Sequence, residues 1–166
     1  RVDIIILLPI VNLGSGISTL TAQSHGAGDG VRARRILGAG ILLMLAISIL
    51  LTCIIIPTGG FLIAMFGAGE HVVDIGEAFF RGIAPFYCVY GLATAIRGHI
   101  EGLGDLLFSS AAGITALALR IAASYALRGV FWNMTIAYAE AISWALLLAL
   151  YAFRLLRRRS APDRRT

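Results

Sequence analysis

Residues 36–56 read ILGAGILLMLAISILLTCIII, a run with no charged side chain. A helix rises ~1.5 Å per residue, so the run matches a hydrocarbon layer of ~30 Å. Its apolar residues are continuous and reserve no face for water. In lipid such a segment must satisfy its backbone internally, which leaves a helix as the solution. Arg32, Arg34 and Arg35 stand just upstream, and Pro57-Thr58-Gly59-Gly60 follows. That breaker predicts the end of the span at residue 56.

Four more spans flank this one. The first covers about 4–23, without a charge. The third covers about 79–100; its uncharged centre is Gly82–Ile96, and Arg81 and Arg97 snorkel from its ends. The fourth (106–127) contains Arg120, and the fifth (130–153) contains Glu140. The predicted fold is an all-α polytopic transmembrane bundle over residues 1–153. A basic tail, 154–166, is expected to lie disordered on anionic lipid. Between the second and third spans, Phe61–Phe66 is apolar but too short to cross, which predicts an interfacial helix.

Composition agrees. The 166 residues are 58% hydrophobic and 14% charged, against about 25% charged in soluble domains. The net charge of +5 comes from arginines, with no lysine in the chain. In a soluble protein that balance would suggest nucleic acid. Here the charges sit between and after apolar runs, so the partner they imply is the bilayer, and nucleic acid is excluded. Arg32, Arg34, Arg35, Arg97 and the tail arginines (Arg154, Arg157, Arg158, Arg159, Arg164, Arg165) share one side. Arg1, Arg81 and Arg128 share the other, with Glu70, Asp74 and Glu77. The excess predicts a cytoplasmic C-terminus. The start, Arg1-Val2-Asp3, then lies outside, with neither an initiator Met nor a signal-peptide layout. The expectation is a chain truncated upstream, with earlier spans missing.

Polar residues within the spans are the candidates for function. Asn12, Gly16, Thr19 and Gln23 form a stripe on the first helix, and Tyr87, Tyr90, Thr94, Arg97 and Glu101 form one on the third. Neither should face lipid. Helix packing accounts for the first stripe, whereas the two tyrosines favour a cavity for the second. Arg120 and Glu140 stand at matched depth, ~10 Å from the same interface, which predicts an ion pair. The alternative is that Glu140 binds a proton or a cationic solute. Pro9 and Pro85 interrupt their spans and predict kinks. Gly98-His99-Ile100-Glu101-Gly102 is a GxxxG pattern, a weak signal for close helix approach.

Catalytic motifs are absent from the sequence. Gly26-Ala27-Gly28-Asp29-Gly30-Val31 lacks the third glycine of a dinucleotide loop and follows a helix. His25, His71 and His99 have no metal-ligand spacing, and Cys53 and Cys88 read as small buried hydrophobes. Neither an enzyme nor a cofactor is expected.

Several stretches nevertheless resemble a known family. Leu8-Pro9-Ile10-Val11-Asn12-Leu13-Gly14-Ser15-Gly16 through Ala22-Gln23-Ser24-His25-Gly26-Ala27-Gly28 resembles the eighth helix and following loop of the multidrug and toxic compound extrusion (MATE) family. Arg81-Gly82-Ile83-Ala84-Pro85-Phe86-Tyr87, leading to Gly98, Gly102 and Gly104-Asp105, resembles its tenth helix and exit. Leu119-Arg120 resembles its eleventh, and Asn133-Met134-Thr135 through Ala141-Ile142-Ser143-Trp144 its twelfth. The resemblance implies that the five spans are helices eight to twelve, part of a second lobe whose partner lobe is missing. It implies a bacterial inner-membrane protein that exports organic, often cationic compounds against inward sodium or protons. The coupling ion's site would lie in the missing first lobe. Cavity candidates are Tyr87, Tyr90, Thr94, Arg120 and Glu140, with Asn12 and Gln23. Gly26, Gly28, Gly102 and Asp105 would serve the cytoplasmic turns.

The chain departs from the family pattern in places. Tyr90 stands where one branch has an acidic residue, Glu101 where a basic one is usual, and Ala141 in place of a usual proline beside an atypical Glu140. Two alternatives remain: a lipid-linked oligosaccharide flippase, disfavoured by the single deep arginine, and a membrane assembly subunit without transport.

Overall fold

The computed structural model describes residues 2–67, 69–131 and 134–160. Arg1, Asn133, Arg164 and Arg165 lie outside the described residues, as does the Arg159 side chain. Six α-helices follow one another: α1 (Val2–Gly26), α2 (Gly30–Met65), α3 (Glu70–Ile83), α4 (Tyr87–Gly102), α5 (Leu106–Phe131) and α6 (Thr135–Ser160). A single 3₁₀ turn, Ala84–Phe86, joins α3 to α4. No strand occurs among the described residues. Taking α3 and α4 as one rod, five segments among the described residues are long and apolar enough to cross a membrane. Most of their surface is open and greasy, with Leu42 72% and Leu107 87% exposed. Such a surface fits hydrocarbon, not water.

Helix α4 is the hub, packing against α1, α2 and α6, while α5 leans on α6. Ile10, Met44, Ile83, Tyr87 and Trp144 fill one core; Leu37, Ile96, Ile100 and Tyr151 fill another nearer the α4–α5 turn. The GxxxG pattern forms the α1–α4 seam. A methyl group on Gly98 would collide with the carbonyl oxygen of Gly14, and one on Gly102 would lie 2.5 Å from that of Ser18. Small residues here let the two backbones touch, the usual source of helix association in lipid.

The connections at one end are built alike. Gly28 has φ 75° and Gly104 has φ 86°, both in the left-handed region that favours glycine. Asp29 N–H donates to Ser24 O at 2.9 Å, and Asp105 N–H to Ile100 O at 3.2 Å. Each turn thereby returns a carbonyl bond to the helix it leaves. Gly26 and Gly102, expected in the turns, instead end α1 and α4 inside regular helix.

Four other expectations need correction. Pro57-Thr58-Gly59-Gly60 does not end the second span, because α2 runs on for 36 residues to Met65. The Thr58 hydroxyl donates to Ile54 O at 2.6 Å beside the bond that Pro57 removes. Gly59 and Gly76 make room for α3: a methyl on Gly59 would meet the Phe80 ring at 2.9 Å, and one on Gly76 would strike Ile63. Phe61–Phe66 is therefore the end of α2 and its cap rather than a separate interfacial helix. Pro9 likewise lies inside an unbroken α1, whereas Pro85 does interrupt its rod, at the 3₁₀ turn.

The fourth correction concerns the tail. Residues 154–160 continue α6, and Arg154 and Arg158 reach back to Asp105 at 2.7 and 3.1 Å. The Arg154 hydrogen bond, supported by the Arg158 charge, holds the Asp105 carboxyl below its ordinary range.

Candidate functional site

The 3₁₀ turn sets the geometry of the polar cluster. Pro85 cannot donate a backbone bond, and the chain tightens over Ala84–Phe86 before α4 begins at Tyr87. The Thr52 hydroxyl of α2 lies 2.8 Å from the Ala84 carbonyl and 2.9 Å from that of Ser48, so one proton serves the break. Tyr87 is thereby held at the head of α4, fully buried. Its phenol donates to Asp3 Oδ1 of α1 at 2.8 Å.

Asp3 was not singled out in the sequence, yet a signal exists. Positions 3, 7, 10, 14, 17 and 21 fall on one side of a helix, and the last five are Leu7, Ile10, Gly14, Ile17 and Thr21, all buried. A carboxylate in register with that face must turn inward.

On the other side of Tyr87 stands Trp144 of α6, which is 1% exposed. Ring centroids are 6.1 Å apart for Tyr87–Trp144 and 4.8 Å for Tyr90–Trp144. Next to this aromatic group, Arg120 Nη1 of α5 meets Glu140 Oε1 of α6 at 2.9 Å. Arg120 Nε also donates to Ser143 Oγ at 3.3 Å, while the Ser143 hydroxyl donates to the Glu140 carbonyl at 2.8 Å. With both carboxylates ionised, Asp3, Glu140 and Arg120 together carry one net negative charge. Around it are three aromatic faces, a combination that attracts cations. Among the described residues no group of three His, Cys, Asp or Glu side chains comes together to hold a metal.

The predicted stripe on the third span is divided by the structure. Tyr87 and Tyr90 join the cluster, and Thr94 stays beside it, its hydroxyl hydrogen-bonded to Tyr90 and its methyl filling the space beside Gly14. Arg97 pairs with Glu101 at 2.7 Å, and Glu101 also accepts from Ser109 of α5 at 2.6 Å, near the other end of the bundle. The α1 stripe is placed differently again. Asn12, Thr19 and Gln23 are exposed, opposite the packed face, so packing within this chain does not account for them. Asn12 and Gln23 are not brought to the cluster.

A profile of the MatE family matches residues 1–126. A search among curated proteins returned no match. Among solved structures, one described as MATE in the bent conformation is similar with a TM-score of 0.87 at 21% identity. The likeness covers 96% of this chain and 38% of that one. Another is described as the inward-facing conformation of a multidrug resistance MATE family transporter of the MOP superfamily. It is similar with a TM-score of 0.78 at 20% identity, over 96% of this chain and 41% of that one. The chain thus spans about two-fifths of the length of these proteins. A multi-pass bundle of this arrangement, with the family profile matching over most of its length, belongs to the MatE family and carries part of the MATE transporter fold.

Proposed function

We propose that this chain forms part of the second lobe of a secondary antiporter that exports organic cations, with inward sodium or proton flow as the driving force. The observation that carries this reading is the cluster of Asp3, Tyr87, Tyr90, Arg120, Glu140 and Trp144, two carboxyl groups and one guanidinium among aromatic rings inside an otherwise greasy bundle. Charged groups in a membrane interior are costly and are kept where they do something. In this reading Tyr90, the partly exposed member of the aromatic group, offers its face to a flat cationic solute, with the buried Trp144 packed behind it. Arg120 holds Glu140 in place, so that the wall attracts a cation without trapping it. The exposed Asn12, Thr19 and Gln23 line the seam toward the remainder of the transporter, and the coupling ion binds there, outside this chain. The break at Ala84–Phe86 absorbs the rocking of one lobe against the other.

In this reading the protein sits in a bacterial inner membrane, and the arginine excess supports placing the 26–30 and 102–106 turns and the C-terminus in the cytoplasm. The test is accumulation of a cationic dye in cells lacking the whole gene, complemented by wild type or by Tyr90→Ala. Loss of a cation–aromatic contact is expected to reduce export about fivefold at unchanged protein level. Unchanged dye retention on deletion, with cell-envelope polysaccharide lost instead, would transfer the assignment to a flippase.

A further inference from the structure

Basic side chains at the 26–30 end of the bundle divide into two groups. Arg154 and Arg158 are spent on Asp105, Arg97 on Glu101, and Arg157 lies over the Phe153 ring at 5.0 Å. Arg32, Arg34 and Arg35, in the first turns of α2, are exposed and make no ion pair among the described residues. The one carboxylate beside them, Asp29, accepts the Arg32 backbone N–H at 2.8 Å. It caps the helix and occupies the amide end, so what is left to a ligand is the guanidinium groups.

Helical geometry gives those groups a direction. Ala33, Leu37, Gly40 and Met44 form the buried face of α2. At 100° per residue, Arg35 points directly away from that face, with Arg32 and Arg34 to either side. About one turn further into the span come Gly38 and Ala39, both exposed, and nothing lies within 4 Å of the place a side chain on Gly38 would occupy. Below this notch begins the apolar stripe of Leu42 (72% exposed) and Ile49 (53%). Cationic donors, then a recess, then hydrocarbon surface repeat the order of phosphate, glycerol and acyl chain in a phospholipid.

We infer that Arg32, Arg34 and Arg35, with the Gly38–Ala39 notch beneath them, form a binding site for the headgroup of an anionic glycerophospholipid. From sequence the basic tail reads as the lipid anchor; two of its arginines share the single carboxylate of Asp105, whereas all three arginines of the α2 collar are exposed without an ion pair among the described residues. The site is independent of what the protein transports.

Purified full-length protein in neutral detergent, titrated with phosphatidylglycerol or phosphatidylcholine and read by native mass spectrometry, tests the inference. Phosphatidylglycerol is expected to be retained at least about fivefold better, since each interfacial arginine contributes about that factor. Arg35→Gln should reduce the preference about fivefold, Arg32→Lys/Arg34→Lys/Arg35→Lys should keep it, and Arg157→Gln should leave it unchanged. The lysine triple keeps the charge that sets topology, so a folding defect from charge removal does not hide the answer. Equal retention of the two lipids would overturn the proposal, as would a preference that survives Arg35→Gln but disappears in Arg157→Gln. Abolition of the preference by millimolar inorganic phosphate would assign the collar to a free anion. A change of oligomeric state in Arg35→Gln without a change in lipid retention would assign it to a protein contact.

Discussion

At Glu140 the carboxylate is mostly covered while its partner Arg120 remains partly open. That asymmetry decides what each substitution should do. Glu140→Gln leaves a guanidinium without its counter-charge at a half-buried position. The expected cost is about 1–3 kcal/mol, between that of a surface pair and a fully buried one. Adding Arg120→Gln should restore most of the loss. Thermal unfolding of the two singles and the double in detergent measures this coupling; strictly additive losses would refute a direct pair. The pair was legible in the sequence because two charges stood at equal depth on consecutive spans. Asp3 was not, since it sits where the first span begins and reads as part of a polar lead-in. Its register with the apolar positions 7, 10 and 17 hints at an inward direction, and the hydrogen bond from Tyr87 shows what it meets there. A variant Asp3→Asn should lower export of a cationic dye more than that of a neutral one, as expected if the net negative charge is what the solute meets.

Helices carry the next level of the argument. The α1–α4 seam depends on the absence of side chains at Gly98 and Gly102, because the neighbouring atoms are backbone and cannot move aside. Gly98→Ala should therefore destabilise by about 1–3 kcal/mol, whereas Gly113→Ala, at an open site on α5, should not. Melting temperatures of the two variants decide it. The GxxxG spacing alone could not, since the same pattern occurs where nothing packs. Pro57-Thr58-Gly59-Gly60 taught the opposite lesson. In water the sequence breaks a helix, but a neighbouring hydroxyl and a closely packed α3 keep α2 intact. The polar stripe on α1 lies opposite the face that packs within this chain, since within lipid the packed face need not be the polar one.

At the far end of α6, Asp105 ties the α4–α5 turn to Arg154 and Arg158. A carboxyl held below its ordinary value contributes stability above the unfolded value, ~4, and loses it as pH falls through the depressed one. The difference in unfolding temperature between wild type and Asp105→Asn should thus stay constant from pH 8 to pH 5 and shrink below about pH 4. A difference that vanished at pH 6 would mean the clasp is not what Asn removes.

For the whole molecule, the number of spans followed from run length alone, because lipid permits so few backbone solutions. What run length could not supply is how the spans share polar groups, which depends on rotation about each axis. The central claim is that these rods cross the bilayer five times, with the Gly28 and Gly104 turns on one side and the α2–α3 and α5–α6 connections on the other. Single cysteines at Ala27, Gly69, Leu103 and Gly129, in a background lacking Cys53 and Cys88, test it with a membrane-impermeant maleimide. Gly69→Cys and Gly129→Cys should react in intact cells, and Ala27→Cys and Leu103→Cys only in inverted membrane vesicles. Labelling of all four from the same face would contradict the account.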